Sequence, residues 1–130
     1  MSTSSNFDPQ KKRIGGIWKS DIVAQEENQG NGTYDYYLDM NGFRKVGLQF
    51  ELTGTISIKI YGTIQDDGTA QNLCSYQEIT SSLTGASSIT SSSMILDDAE
   101  LTSVIHYLKI TVTCSGGGTD DYTIYSQRLY

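Results

Sequence analysis

The chain has 130 residues, which is enough for one domain with one hydrophobic core and leaves no room for a second independent domain. A formal net charge of −6 and a pI near 4.5 argue against a nucleic-acid partner, because displacing counterions from phosphates takes a concentrated lysine and arginine surface. Nine tyrosines, thirteen glycines, a single proline and many serines and threonines make a β-rich, helix-poor mixture.

Residues 1–13 are polar, lack periodicity and hold both Pro9 and the only basic run, Lys11-Lys12-Arg13. They are expected to form a flexible N-terminal arm that orders only when something binds it. This stretch has no apolar core like that of a secretory leader, and no later stretch has the roughly 20 apolar residues that cross a bilayer. The expectation is synthesis in the cytoplasm and no membrane contact. The body of the domain, residues 14–130, opens with Ile17 and Trp18 near the start of a strand, and residues 25–33 read as a polar, glycine-bearing connection.

Residues 34–40 form the next expected strand, and Asn41-Gly42 signals a tight turn. Val46, Leu48, Phe50 and Leu52 then alternate with Lys45, Gly47, Gln49 and Glu51, which is the period of a half-buried strand. After a break at Thr53-Gly54, Ile56, Ile58, Ile60, Gly62 and Ile64 repeat the alternation, and a hairpin of two adjacent strands is the simplest account. Asp66-Asp67-Gly68 ends that strand and residues 76–80 give a short edge strand. Residues 81–93 read as a long surface loop containing a short strand, with Leu83 and Ile89 as anchors. Met94 opens another strand, and residues 97–102 are the only stretch with helical character. Leu108, Ile110, Val112 and Cys114 face inward along the third clear alternation, Gly116-Gly117-Gly118 forces a turn, and residues 121–130 close the chain as a strand inside a sheet. Seven or eight strands joined by turn signals predict an all-β fold, a single antiparallel β-sandwich of jelly-roll or related type.

Residues for catalysis are scarce. His106 is the only histidine and sits in ordinary strand alternation, so a nucleophile-and-base pair has no second support and the chain reads as no enzyme. Cys74 and Cys114 stand far apart in no CxxC pair, which gives neither a metal site nor a redox motif. The doublets Asp66-Asp67, Asp97-Asp98 and Asp120-Asp121 fall at strand ends, where converging loops would offer calcium its oxygens; aspartate is also a favoured turn residue, and that reading is preferred, with no cofactor expected. Tyrosine is the unusual abundance. It supplies contact area with a polar tip, which serves protein interfaces and sugar platforms alike.

The succession of Trp18-Lys19-Ser20, Leu38-Asp39-Met40-Asn41-Gly42-Phe43, the paired strands through Val46 and Thr55, the Asp-Asp-Gly loop and the closing strand at Tyr107 resembles small β-sandwich virion proteins of tailed bacteriophages, including capsid cement or decoration proteins and tail or fibre accessory domains. The resemblance spans residues 14–130 as a pattern. It implies a non-enzymatic homo-oligomer on the virion surface that binds the major capsid protein lattice and stabilises the head. An arm that orders on docking fits that role, as do many weak contacts on a repeating lattice. The residues expected in contacts are Phe7, Lys11, Lys12, Arg13, Tyr34, Tyr36, Tyr37, Tyr125 and Tyr130. A tail or fibre domain and a carbohydrate-binding module using the tyrosines as a platform are the alternatives; coplanar, exposed rings on one sheet face would favour the latter.

Overall fold

The computed structural model describes residues 18–97, 102 and 104–129. The expected arm, its contact residues Phe7, Lys11, Lys12 and Arg13, the C-terminal Tyr130 and most of the expected helical stretch at 97–102 lie outside the described residues.

Eight strands follow in order: β1 Trp18–Gln29, β2 Gly32–Asp39, β3 Lys45–Thr53, β4 Ile56–Thr63, β5 Gln77–Glu78, β6 Ser93–Leu96, β7 Tyr107–Cys114 and β8 Asp120–Leu129. They form two antiparallel four-stranded sheets, β1-β8-β3-β6 and β2-β7-β4-β5. Apart from β4 and β5, which pair within one sheet, successive strands alternate between the sheets, and the last strands return beside the first, which is the double Greek key of a jelly roll. The alternating residues do what their period requires. Val46, Leu48, Phe50, Tyr122, Ile124 and Ile95 point inward from the first sheet, and Leu38, Ile56, Ile58, Ile60, Leu108, Ile110 and Val112 from the second, so the two inner faces make one core. β8 lies between β1 and β3, inside a sheet as expected.

Four expectations need correction. β3 and β4 are not a hairpin: they belong to different sheets, and the chain crosses between them at Gly54. There φ is +113°, and a Cβ would stand 2.1 Å from Asp120 Oδ1. The buried Asp120 carboxylate accepts from the backbone N–H groups of Thr55 (2.8 Å) and Gly116 (2.9 Å), locking the corner to the turn before β8. Alternation reveals which face is buried and not which strand is the partner. The polar stretch 25–33 is not one long connection, since β1 runs to Gln29 and β2 begins at Gly32. As an edge strand with register shifts after Ile22 and Glu26, β1 has no alternation to display there.

A helical turn, α1 at Thr80–Thr84, starts the tract expected to be a loop with a strand. The buried Thr80 hydroxyl accepts from Ile60 N–H at 2.8 Å, and Gly85 closes the turn at φ +77°. Leu83 and Ile89 do anchor the tract: Leu83 packs on the core, and Ile89 exchanges backbone hydrogen bonds with Ile58. Finally, Ile64 lies beyond the end of β4 and is exposed.

Candidate contact surface

The outer faces of the two sheets are built differently. On the first sheet, β1, β8, β3 and β6 place Ile22, Tyr125, Gln49 and Met94 side by side, with Ser20, Gln127, Gly47 and Leu96 in the adjoining row. Ile95 between Met94 and Leu96 is buried, so both neighbours must point outward. Ile22, Met94 and Leu96 are 58%, 59% and 68% exposed. Gly47 leaves the floor between them bare; a Cβ there would already touch Leu96 Cδ2 at 3.4 Å. The result is a shallow cavity of about 430 Å³ lined by apolar or uncharged polar residues apart from Asp21, whose carboxylate is paired with Arg128. Toward the far end of the same sheet the surface turns acidic. Glu26, Glu27, Glu51 and Asp121 line a smaller cavity of about 200 Å³ with Gln25 and Thr123, and none of the four is in an ion pair among the described residues.

The second sheet covers itself. Tyr37, Lys109, Tyr61 and Glu78 stand side by side across β2, β7, β4 and β5. The Lys109 ammonium sits 4.6 Å from the centre of the Tyr61 ring and 5.0 Å from that of Tyr76, two cation–π contacts. Tyr76 donates its hydroxyl to Gln71 O at 2.8 Å, and burial pushes its pKa up to about 12. Lys59 faces Glu78 at 3.8 Å, and the Thr111 hydroxyl donates to Asp35 at 2.7 Å. The Tyr37 and Tyr76 rings are tilted by 47°, so they form no coplanar platform.

Of the expected contact residues, Tyr125 lines the groove and Tyr37 lies on the outer face of the second sheet. Tyr34 and Tyr36 pack inward against the core, because on β2 they share the phase of buried Leu38. The Tyr36 hydroxyl meets that of buried Tyr122 at 2.5 Å, and the Tyr34 hydroxyl donates to Gly30 O. Burial, then the bond to Tyr36, raises the Tyr122 pKa. Ile22, Met94 and Leu96 were not singled out from sequence, although the phase of Met94 and Leu96 around Ile95 is the signal that marks them.

One end of the sandwich is plugged by Arg128, almost wholly buried, which donates to Asp39 O and Asp21 and stacks 4.7 Å over Phe43. The acidic doublets do not converge. Asp66 meets His106 at 3.4 Å ahead of β7, whereas Asp120 follows the opposite end of that strand; buried Asp97 accepts from Thr102. Asp98 lies outside the described residues, and among the described ones no three His, Cys, Asp or Glu side chains group to hold a metal. Cys74 and Cys114 are both free thiols, the latter raised in pKa by burial and by Asp120.

No protein-family model matches the chain, and no curated protein matches it in sequence. Among solved structures it is similar to the crystal structure of the SPBc2 prophage-derived protein YomS, with a TM-score of 0.52 and 13% identity over 87% of this chain and 93% of that one. What is shared is the fold. A likeness to the structure of infectious bursal disease virus Gx strain has a TM-score of 0.35 and 15% identity, covering 86% of this chain and 32% of that one, and carries no argument. A jelly roll hosts many functions, so function must be argued from the surface.

Proposed function

We propose that the chain is a non-enzymatic structural protein of a bacteriophage virion, and within that class a cement or decoration protein docked on the major capsid protein lattice. The observation that carries this reading is the open groove of Ile22, Met94, Leu96 and Tyr125 on a rigid sheet face. Large apolar side chains left together in water mark a surface that a partner covers. A fold in common with a prophage-derived protein supports the phage setting. A lattice multiplies weak contacts of this size by raising the effective concentration after the first engagement. The sugar-platform alternative draws less support, because the tyrosines of the second sheet are tilted and already hold Lys109.

The test is co-sedimentation of the full chain with heads of the encoding phage from which it has been stripped, with isolated tails and with a polysaccharide matrix. Saturable binding to heads at many copies per particle is the expected result. Binding to tails alone moves the protein to the tail, and retention only on polysaccharide overturns the virion reading.

A further inference from the structure

The outer face of the first sheet and the residues that precede it in the chain are complementary in both polarity and spacing. The face offers an apolar groove at the Ile22–Tyr125–Gln49–Met94 row and carboxylates one row further on, where Glu51 lies across from Thr123 and Gln25. Residues 11–17 read Lys-Lys-Arg-Ile-Gly-Gly-Ile, a basic triplet followed by an isoleucine. Gln49 and Glu51 are two residues apart on β3, about 7 Å, and Ile14 and Lys12 are two residues apart and span about the same distance when extended. An isoleucine in the groove therefore sets a lysine against Glu51.

The same chain cannot make this contact. The Ile22 row lies four residues along β1 from Trp18, about 13 Å, with Tyr125 and Gln49 one and two strands to the side. Ile14 is four residues before Trp18 and reaches at most about 14 Å, which reversing direction over the face exhausts. A second copy has no such limit.

We propose that residues 11–17 of one copy lie across the outer face of the first sheet of a second copy, with Ile14 between Ile22, Tyr125 and Met94 and Lys12 against Glu51, where Glu27 and Asp121 add to the acidic surface. The donor segment and the acceptor face are different surfaces, so the contact is either exchanged reciprocally in a two-fold dimer or passed head-to-tail into rings or chains. This inference competes with lattice docking for the same groove, since a groove filled by a second copy leaves the lattice to other surfaces, and it is tested separately because self-association is measured on the protein alone.

Sedimentation velocity of the full chain over a range of concentrations and salt tests it. The expected result is association beyond a monomer that weakens between 0.1 M and 1 M salt, where the screening length falls from about 10 Å to about 3 Å. Lys12→Glu should weaken it on the order of tenfold, and Lys12→Glu combined with Glu51→Lys should restore it, which a folding defect would not do. Met94→Ser should weaken it with little change in its salt dependence. A monomer under all conditions, or association indifferent to Lys12→Glu, overturns the proposal.

Discussion

The two outer faces of this sandwich belong to sheets of equal strand number that share one core, and on both the polar side chains find neighbours, Tyr125 and Gln49 meeting Glu51 on the first sheet, yet only the first leaves large aliphatic side chains uncovered. On the second sheet each long side chain has a neighbour: Lys109 lies between two tyrosine rings, Lys59 faces Glu78, and Tyr76 returns its hydroxyl to Gln71. On the first sheet, Met94 and Leu96 flank a bare glycine and remain open to water. Aromatic abundance is therefore no guide to where large apolar side chains stay exposed here. Tyr34, Tyr36 and Tyr122 pack into the core, and the groove joins Tyr125 to the aliphatic side chains Ile22, Met94 and Leu96.

The comparison presumes that both faces rest on a common core, and the largest expected effects test that premise. Phe50→Ala, beneath the groove, should cost about 3–5 kcal/mol and Ile58→Ala, beneath the tyrosine face, about 2–5 kcal/mol in chemical denaturation, since both side chains are fully buried. A variant of wild-type stability would mean that its sheet does not pack as described. A smaller effect, about 1 kcal/mol, is expected for Tyr122→Phe, which removes the hydroxyl that joins Tyr36 and Gln29. Partly exposed Tyr36 can turn to water, which limits the loss. This pair and Tyr76 together set an alkaline limit. Tyr36, Tyr76 and Tyr122 all have folded pKa values raised above 10.0, so the stability they contribute is complete below pH 10 and is lost as pH rises through about 12 and beyond. Tyrosinate absorbance followed alongside circular dichroism should show the more exposed phenols ionising first and the last ones only as the fold is lost; full ionisation of a still-folded chain would contradict the buried pair.

Much of the fold could be read from the sequence because β3, β4, β7 and β8 each present one face to the core, so period two survives in Val46 to Leu52, Ile56 to Ile60, Leu108 to Cys114 and Tyr122 to Arg128. Pairing could not be read. The corner at Gly54 depends on Asp120, some 65 residues away, and no local pattern announces that approach. Nor could the polar end of β1, since an edge strand wet on both sides carries no alternation. The site was half-legible for a similar reason. Tyr36 and Tyr37 are adjacent, so only one of them can face outward, and the phase of Leu38 decides that it is Tyr37. The groove itself joins Ile22, Met94, Leu96 and Tyr125 across four strands whose order the sequence leaves open.

The smallest expected effects on stability separate the faces most sharply. Lys109→Ala removes a cation held by two rings and should cost about 0.5–1 kcal/mol while leaving partner binding unchanged. Met94→Ser should do the reverse. Its side chain is mostly in water already, so thermal unfolding should move by no more than about 0.5 kcal/mol. Whatever covers the groove loses an apolar contact, however, and binding should fall measurably in the same preparation. If Met94→Ser destabilised the fold as much as Lys109→Ala and left binding intact, the assignment of roles to the two faces would have to be exchanged. The hydrophobic surface that folding leaves exposed carries its free energy into association, and a substitution there is felt only when the partner is present.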